Sequence, residues 1–208
     1  HIGLLCLCDE ENEYVLTSLF AYTPLKSHRY RWVHYEGPDR RGTEPALVYS
    51  LDHFMLVESA VFPYYNPEEP EYRSRDILYA KFIPVNHKGA GDRGSLPAMT
   101  SLGMDEAPES VEGPSDTDEA PEPVEGPIDT IHVFVNHWPS RYSGELETFK
   151  ARTCAATILR AKVDSIIASY PKDYAPKILI MGDLNVTPED PSVHDILKAR
   201  SVNEQEGD

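Results

Sequence analysis

Residues 105–117 read DEAPESVEGPSDT and residues 118–130 read DEAPEPVEGPIDT, one thirteen-residue unit in tandem with two changed positions. The unit is rich in Pro, Glu and Asp and holds almost no large apolar side chain. Such a segment cannot bury enough surface to offset the entropy lost on ordering, so it reads as disordered. The same character extends back through KGAGDRGSLPAMTS to residue 89. A chain of 208 residues built this way cannot fold continuously from end to end. It divides into a folding block at 1–88, a disordered acidic insertion at 89–130 and a second folding block at 131–208. Together the two blocks are long enough for one domain with a sizeable core. Duplication at a tolerant surface site explains the repeat more simply than a regulatory or binding loop does.

The insertion also carries most of the acidity. The net charge is −16, which argues against loose, charge-driven binding to nucleic acid. Residues 89–130 hold eleven acidic side chains against Arg93, so only −6 belongs to the rest of the chain. Hydrophobic content of 40% and charged content of 26% are those of a soluble globular protein. No apolar run approaches the ~20 residues of a membrane span, and no secretory signal is visible. The chain opens on His1 and runs at once into a core-like strand, as a processed, truncated or internal start would. Cys6 and Cys8 lie two apart in that strand and share a face. With Cys154 they make neither a disulfide framework nor a zinc spacing, and read as small core thiols. Nothing here assigns a compartment or an oligomeric state.

Both folding blocks mix strands with helices. IGLLCLC has no polar face and reads as a central strand. Residues 11–20 read as a helix with Tyr14, Val15, Leu16 and Leu19 on its apolar side. YRWVHYE, PALVYS, FMLVESAVF and DILYAKFIPV read as further strands, some joined as hairpins. After the insertion come the strand IHVFVNHW and a long helix over 144–169, with Ala155, Leu159, Val163, Ile166 and Ile167 in one stripe. Ile178–Gly182 reads as a buried strand, Ser192 as the cap of a last short helix, and the final SVNEQEGD as frayed. Hairpins beside alternating strands and helices predict an α/β (α+β) fold on mixed sheets, not a doubly wound parallel one.

Several strands run straight into chemistry-bearing residues. ILIMG is followed by Asp183 and Asn185, one residue apart. An acid and an amide held at a strand end can order a metal-bound water and a phosphate oxygen together, although both are also ordinary turn formers. IHVFVN runs into His137, Pro139 and Arg141, a grouping suited to a phosphate or leaving group, or to a structural turn. Arg40 and Arg41 precede Gly42 and can steer an anion or form a solvated pair. Arg75 stands at the mouth of a strand, suited to a bidentate phosphate contact or simply to the surface.

Taken in order, LCDEEN, HYEGPDRRG, SRDILYAKF, VFVNHWPSR and ILIMGDLNVTPEDPS resemble the endonuclease/exonuclease/phosphatase superfamily of metal-dependent phosphodiesterases. The resemblance covers nearly all of the chain outside 89–130. It implies a four-layer sandwich of two mixed β-sheets flanked by helices, here partial. It implies Asp183, Asn185 and His137 as catalytic residues, Arg75 and Arg41 as phosphate-binding residues, and Asp9 with Asp183 as ligands of Mg²⁺ or Mn²⁺. The implied substrate is a phosphodiester, including nucleic acid. Three departures follow. Asp9 stands where the family has a metal-binding Glu one methylene longer, with Glu11 as the fallback ligand if the register slips. The chain begins after the family's Asn-bearing strand and stops before its Asp-His strand, so weak or absent activity is expected of the isolated chain. The alternatives are a degenerate, non-catalytic binding module and a lipid or inositol phosphate hydrolase.

Overall fold

The computed structural model describes residues 2–10, 12–39, 42–85 and 129–201. The expected disordered insertion, apart from Asp129 and Thr130, lies outside them, as do Glu11, Arg40, Arg41 and most of the C-terminal tail.

Among the described residues, seven strands form two sheets. β1 (Leu4–Glu10), β2 (Tyr30–His34) and β3 (Glu44–Ser50) make the first, in the order β1–β3–β2, with both pairings antiparallel. β4 (Phe54–Phe62), β5 (Ile77–Pro84), β6 (Ile131–His137) and β7 (Lys177–Asp183) make the second, in sequence order. β4, β5 and β6 pair antiparallel, whereas β6 and β7 are parallel. A parallel pair needs a long crossover, which contains the helix α2 (Glu145–Ser169).

Strand alternation then builds the layers. On β5, Leu78, Ala80 and Phe82 face Val33, Leu47 and Tyr49 of the first sheet, with Val133 and Val135 of β6 beside them. Ile77 and Tyr79 face the other way, and with Phe134 they meet Ala155, Leu159 and Val163 of α2. Full burial of a side chain such as Phe134 or Leu159 contributes about 2 kcal/mol. Helix α1 (Glu13–Tyr22) covers the outer face of the first sheet through buried Leu16 and through Phe20, whose ring stacks on Trp32 at 5.2 Å between centroids. The result is a four-layer α/β sandwich, helix–sheet–sheet–helix.

Four local expectations need correction. Helix α1 starts at Glu13 because Asn12 is extended at φ −174° and its Oδ1 accepts the Val15 N–H at 3.1 Å. β1 is an edge strand among the described residues: only β3 pairs with it, and its apolar side chains are half-buried, Leu4 and Cys6 packing against the core between the sheets. β7 is likewise at an edge among the described residues and half-exposed: Ile178 and Ile180 pack toward α2 and Met181 toward the first sheet, but Leu179 is 40% accessible. Ser192 does not cap the last turn (Ser192–Leu197); Asp190 Oδ1 accepts its N–H at 2.9 Å. No helix among the described residues is long and apolar enough to cross a membrane.

Candidate active site

Strand ends from both sheets converge at one place. Asp9 lies near the end of β1, His137 ends β6 and Asp183 ends β7. The parallel register makes His137 and Asp183 direct neighbours across the sheet. Asp9 Oδ1 stands 3.4 Å from His137 Nδ1 and accepts a hydrogen bond from Arg75 Nη2 at 3.2 Å, so the first sheet reaches the second here. The Asp9 carboxylate is two-thirds exposed, while the His137 ring is nearly enclosed.

The end of β7 is shaped by its glycine. Gly182 has φ +126°, and a Cβ there would lie 1.9 Å from the Asn136 carbonyl oxygen. Only glycine permits that approach and that backbone. Beyond it the turn is locked. Asp183 Oδ1 accepts the Asn185 N–H at 2.9 Å, and Asn185 Nδ2 donates to the Trp138 carbonyl at 2.9 Å. Asn185 sits at φ +54°, a left-handed conformation that Asn tolerates. Arg141 Nε donates to the Asn185 carbonyl at 3.0 Å, so VNHWPSR and GDLN hold each other. Asn136 is fully buried, and its Oδ1 accepts the Trp138 indole N–H at 3.2 Å.

Arg75 is placed differently from a surface phosphate clamp. Its side chain is 2% exposed. Nε donates to the Thr43 carbonyl at 2.9 Å; Nη2 donates to Thr43 Oγ1 at 3.0 Å and lies 3.5 Å from Asp39 Oδ2. It therefore anchors Asp9 from below. Asp39 went unnoticed between the more conspicuous Pro and Arg residues of PDRRG; an acid beside two arginines was the available signal. Arg41 lies outside the described residues.

Three groups near this anchor are strongly perturbed. Glu44 is buried beside Asp39, its Oε1 accepting the Asp39 N–H at 3.3 Å. Burial, with Asp76 and Asp39 nearby, pushes its carboxyl up to about 7. Under Asp9, Cys6 Sγ and Cys8 Sγ stand 3.6 Å apart, and Cys8 Sγ points at the Asn136 carbonyl at 3.7 Å. The hydrogen bond from Cys6 draws the Cys8 thiol down to about 7, against burial and the Asp183 and Asp9 charges. The same bond and burial push Cys6 up. Cys8 thus feels both carboxylates, one from each sheet.

The structure brings Asp9, Arg75, His137, Asp183 and Asn185 into one region. Among the described residues no three His, Cys, Asp or Glu form a group that could hold a metal ion; Asp9 and Asp183 are the carboxylates in this region.

The sequence finds no match among curated proteins. Solved structures share the fold. A 2′,3′-cyclic phosphatase, ANGEL2, in complex with adenosine-2′,3′-vanadate, is 17% identical with a TM-score of 0.57, over 93% of this chain and 43% of that one. The human Nocturnin catalytic domain with bound sulfate is 15% identical with a TM-score of 0.51, over 92% and 55%. D. rerio TDP2 in complex with a single-strand DNA product is 16% identical with a TM-score of 0.52, over 99% and 57%. The chain spans about half the length of these structures. The sequence profile described as Endonuclease/Exonuclease/phosphatase family matches residues 2–83 and 124–208, passing over most of the acidic insertion. With its two sheets and the strand-end residues of NHWPSR and GDLN in place, the chain belongs to the endonuclease/exonuclease/phosphatase family.

Proposed function

We propose that this chain carries the site of a metal-dependent phosphodiester hydrolase of the nuclease-like type. The observation that carries the reading is the convergence of Asp9, His137, Asp183 and Asn185 at neighbouring strand ends, with Arg75 beneath. Asp183 is exposed at the strand end and orients a water for attack on phosphorus. Asn185, fixed by its two hydrogen bonds, meets a phosphate oxygen without reorganising. His137, held in its slot beside Asp9, faces the phosphate or the leaving oxygen. Arg75 keeps Asp9 in place, and Arg41 is proposed to draw the phosphate in. Asp9 and Asp183 would hold Mg²⁺ or Mn²⁺, which when bound supplies positive charge to the phosphate oxygens.

The test is hydrolysis of a generic phosphodiester and of plasmid DNA by the folded chain, with Mg²⁺ or with EDTA, beside Asp183→Ala. Cleavage that needs the metal and drops at least about 100-fold in the variant supports the reading. Turnover that persists in EDTA or in the variant overturns it. One observation favours a second reading, a non-catalytic binding module. Asp9 Oδ1 is already engaged by Arg75 and His137, a closed arrangement that a metal must compete with. That reading requires phosphate-analogue binding with no turnover.

A further inference from the structure

We propose that Cys6 and Cys8 are a modification site, closing reversibly to an intrachain disulfide when a peroxide reaches them. The two residues lie two apart on β1, on the face turned toward the second sheet, where Cys6 packs against the inter-sheet core and Cys8 meets the Asn136 carbonyl. Their sulfurs are 3.6 Å apart, in van der Waals contact, and both side chains are partly accessible. A disulfide needs about 2 Å between sulfurs, and roughly 4.4 to 6.8 Å between Cα atoms. Two steps along a regular strand span about 6.7 Å, the upper limit of that range. β1 is not regular here. Three steps from Leu7 to Glu10 face only two on β3, from Ala46 to Glu44. Such a bulge bends the strand locally, and it falls where Cys8 sits.

The chemistry balances with hydrogen peroxide as the oxidant. The Cys8 sulfur attacks one peroxide oxygen; the O–O bond breaks, giving a sulfenic acid and one water. The Cys6 sulfur then displaces the sulfenic hydroxyl, which leaves as a second water. Two thiols give up two electrons and two protons, and one S–S bond forms. Cys154 cannot take part, since it lies on α2 with its thiol donating to the Tyr65 carbonyl at 3.3 Å. Closure would pull the Cys8 sulfur from the Asn136 carbonyl and tilt Asp9, the next residue, away from Arg75 and His137. The disulfide itself does not depend on the hydrolase reading.

The full chain is treated with a small excess of hydrogen peroxide while folded, then denatured and alkylated with iodoacetamide. The expected product carries a single alkyl group, on Cys154, has lost the mass of two hydrogens, and returns to three alkyl groups after dithiothreitol. In Cys6→Ser the remaining Cys8 is trapped by dimedone instead, and no mass loss of two hydrogens occurs. Three alkylated cysteines after peroxide, or a disulfide that includes Cys154 or links two chains, overturns the proposal. Because the wild-type mass alone decides, a variant that misfolds does not rescue it. A shift of the His137 imidazole resonances on oxidation, absent in Cys6→Ser, reports the coupling to Asp9 without any turnover.

Discussion

Replacing Glu44 by Gln should make the protein more stable at neutral pH. Glu44 opens β3 almost fully buried, facing the acids Asp39 and Asp76, with Arg75 offsetting part of their charge. Its folded carboxyl titrates at about 7 instead of the ordinary 4.5. In the window between those values the folded state holds a proton that the unfolded chain has lost. Stability from this group is therefore full below the lower value and falls as pH rises through the window. At roughly 1.4 kcal/mol for each tenfold change in proton affinity, the loss reaches about 3 kcal/mol once both states are ionised. Gln keeps the shape and an oxygen for the Asp39 N–H, which now bonds Glu44 Oε1 at 3.3 Å, but carries no charge. Urea unfolding followed by circular dichroism, from about pH 4.5 to about pH 8, should show near-equal stabilities at the acid end. At the basic end Glu44→Gln should lead by about 3 kcal/mol. Parallel profiles, or a less stable variant at the basic end, would show that Glu44 is ionised and well solvated by its neighbours, refuting the reasoning.

Gly182→Ala should lose at least about 2 kcal/mol, read as a lower urea midpoint, because both its φ of +126° and the Asn136 carbonyl forbid a Cβ; a change under about 0.5 kcal/mol would contradict that packing. Arg75→Met should cost about 3 kcal/mol, since it strips a buried partner from Asp39 and frees Asp9, and Arg75→Lys should recover only part of it, lacking the fork that serves Thr43 and the carboxylates at once. His132 is buried between Tyr79 and Tyr170, whose hydroxyls lie 2.8 and 2.9 Å from its ring nitrogens, and burial lowers its affinity for a proton. The unfolded chain takes that proton first, so stability should fall as pH drops through the ordinary 6.5; ring NMR shifts showing His132 protonated at or above that value would contradict this.

What could be read from the sequence was local. The stripe Ala155, Leu159, Val163 and Ile166 places α2 because helical period alone defines a face, although Ile167 at its end is 45% exposed. The strand-end residues Asp183, Asn185 and His137 stood out because apolar runs stop on them abruptly. Sheet position was not legible. IGLLCLC looks central by composition yet is an edge strand among the described residues, since pairing is decided by residues far along the chain. From its sequence Arg75 reads as a phosphate contact or a surface residue; its burial is not legible for the same reason, since the carboxylates it pairs with, Asp9 and Asp39, are 66 and 36 positions away. Glu11, expected as a fallback metal ligand, and Arg41, expected to bind phosphate, lie outside the described residues.

Asp9 is carried by one sheet and Asp183 by the other. Their separation is therefore set, like the jaws of a clamp, by the thickness of the apolar filling between the sheets, which includes Leu47, Tyr49, Phe82 and Val133. Packed sheets stand about 10 Å apart, and interiors this dense transmit a change of one methylene. A substitution such as Phe82→Leu touches neither acid, but it resets the gauge of the clamp. Evolution can thus tune this site from its interior, through residues that carry no chemistry of their own.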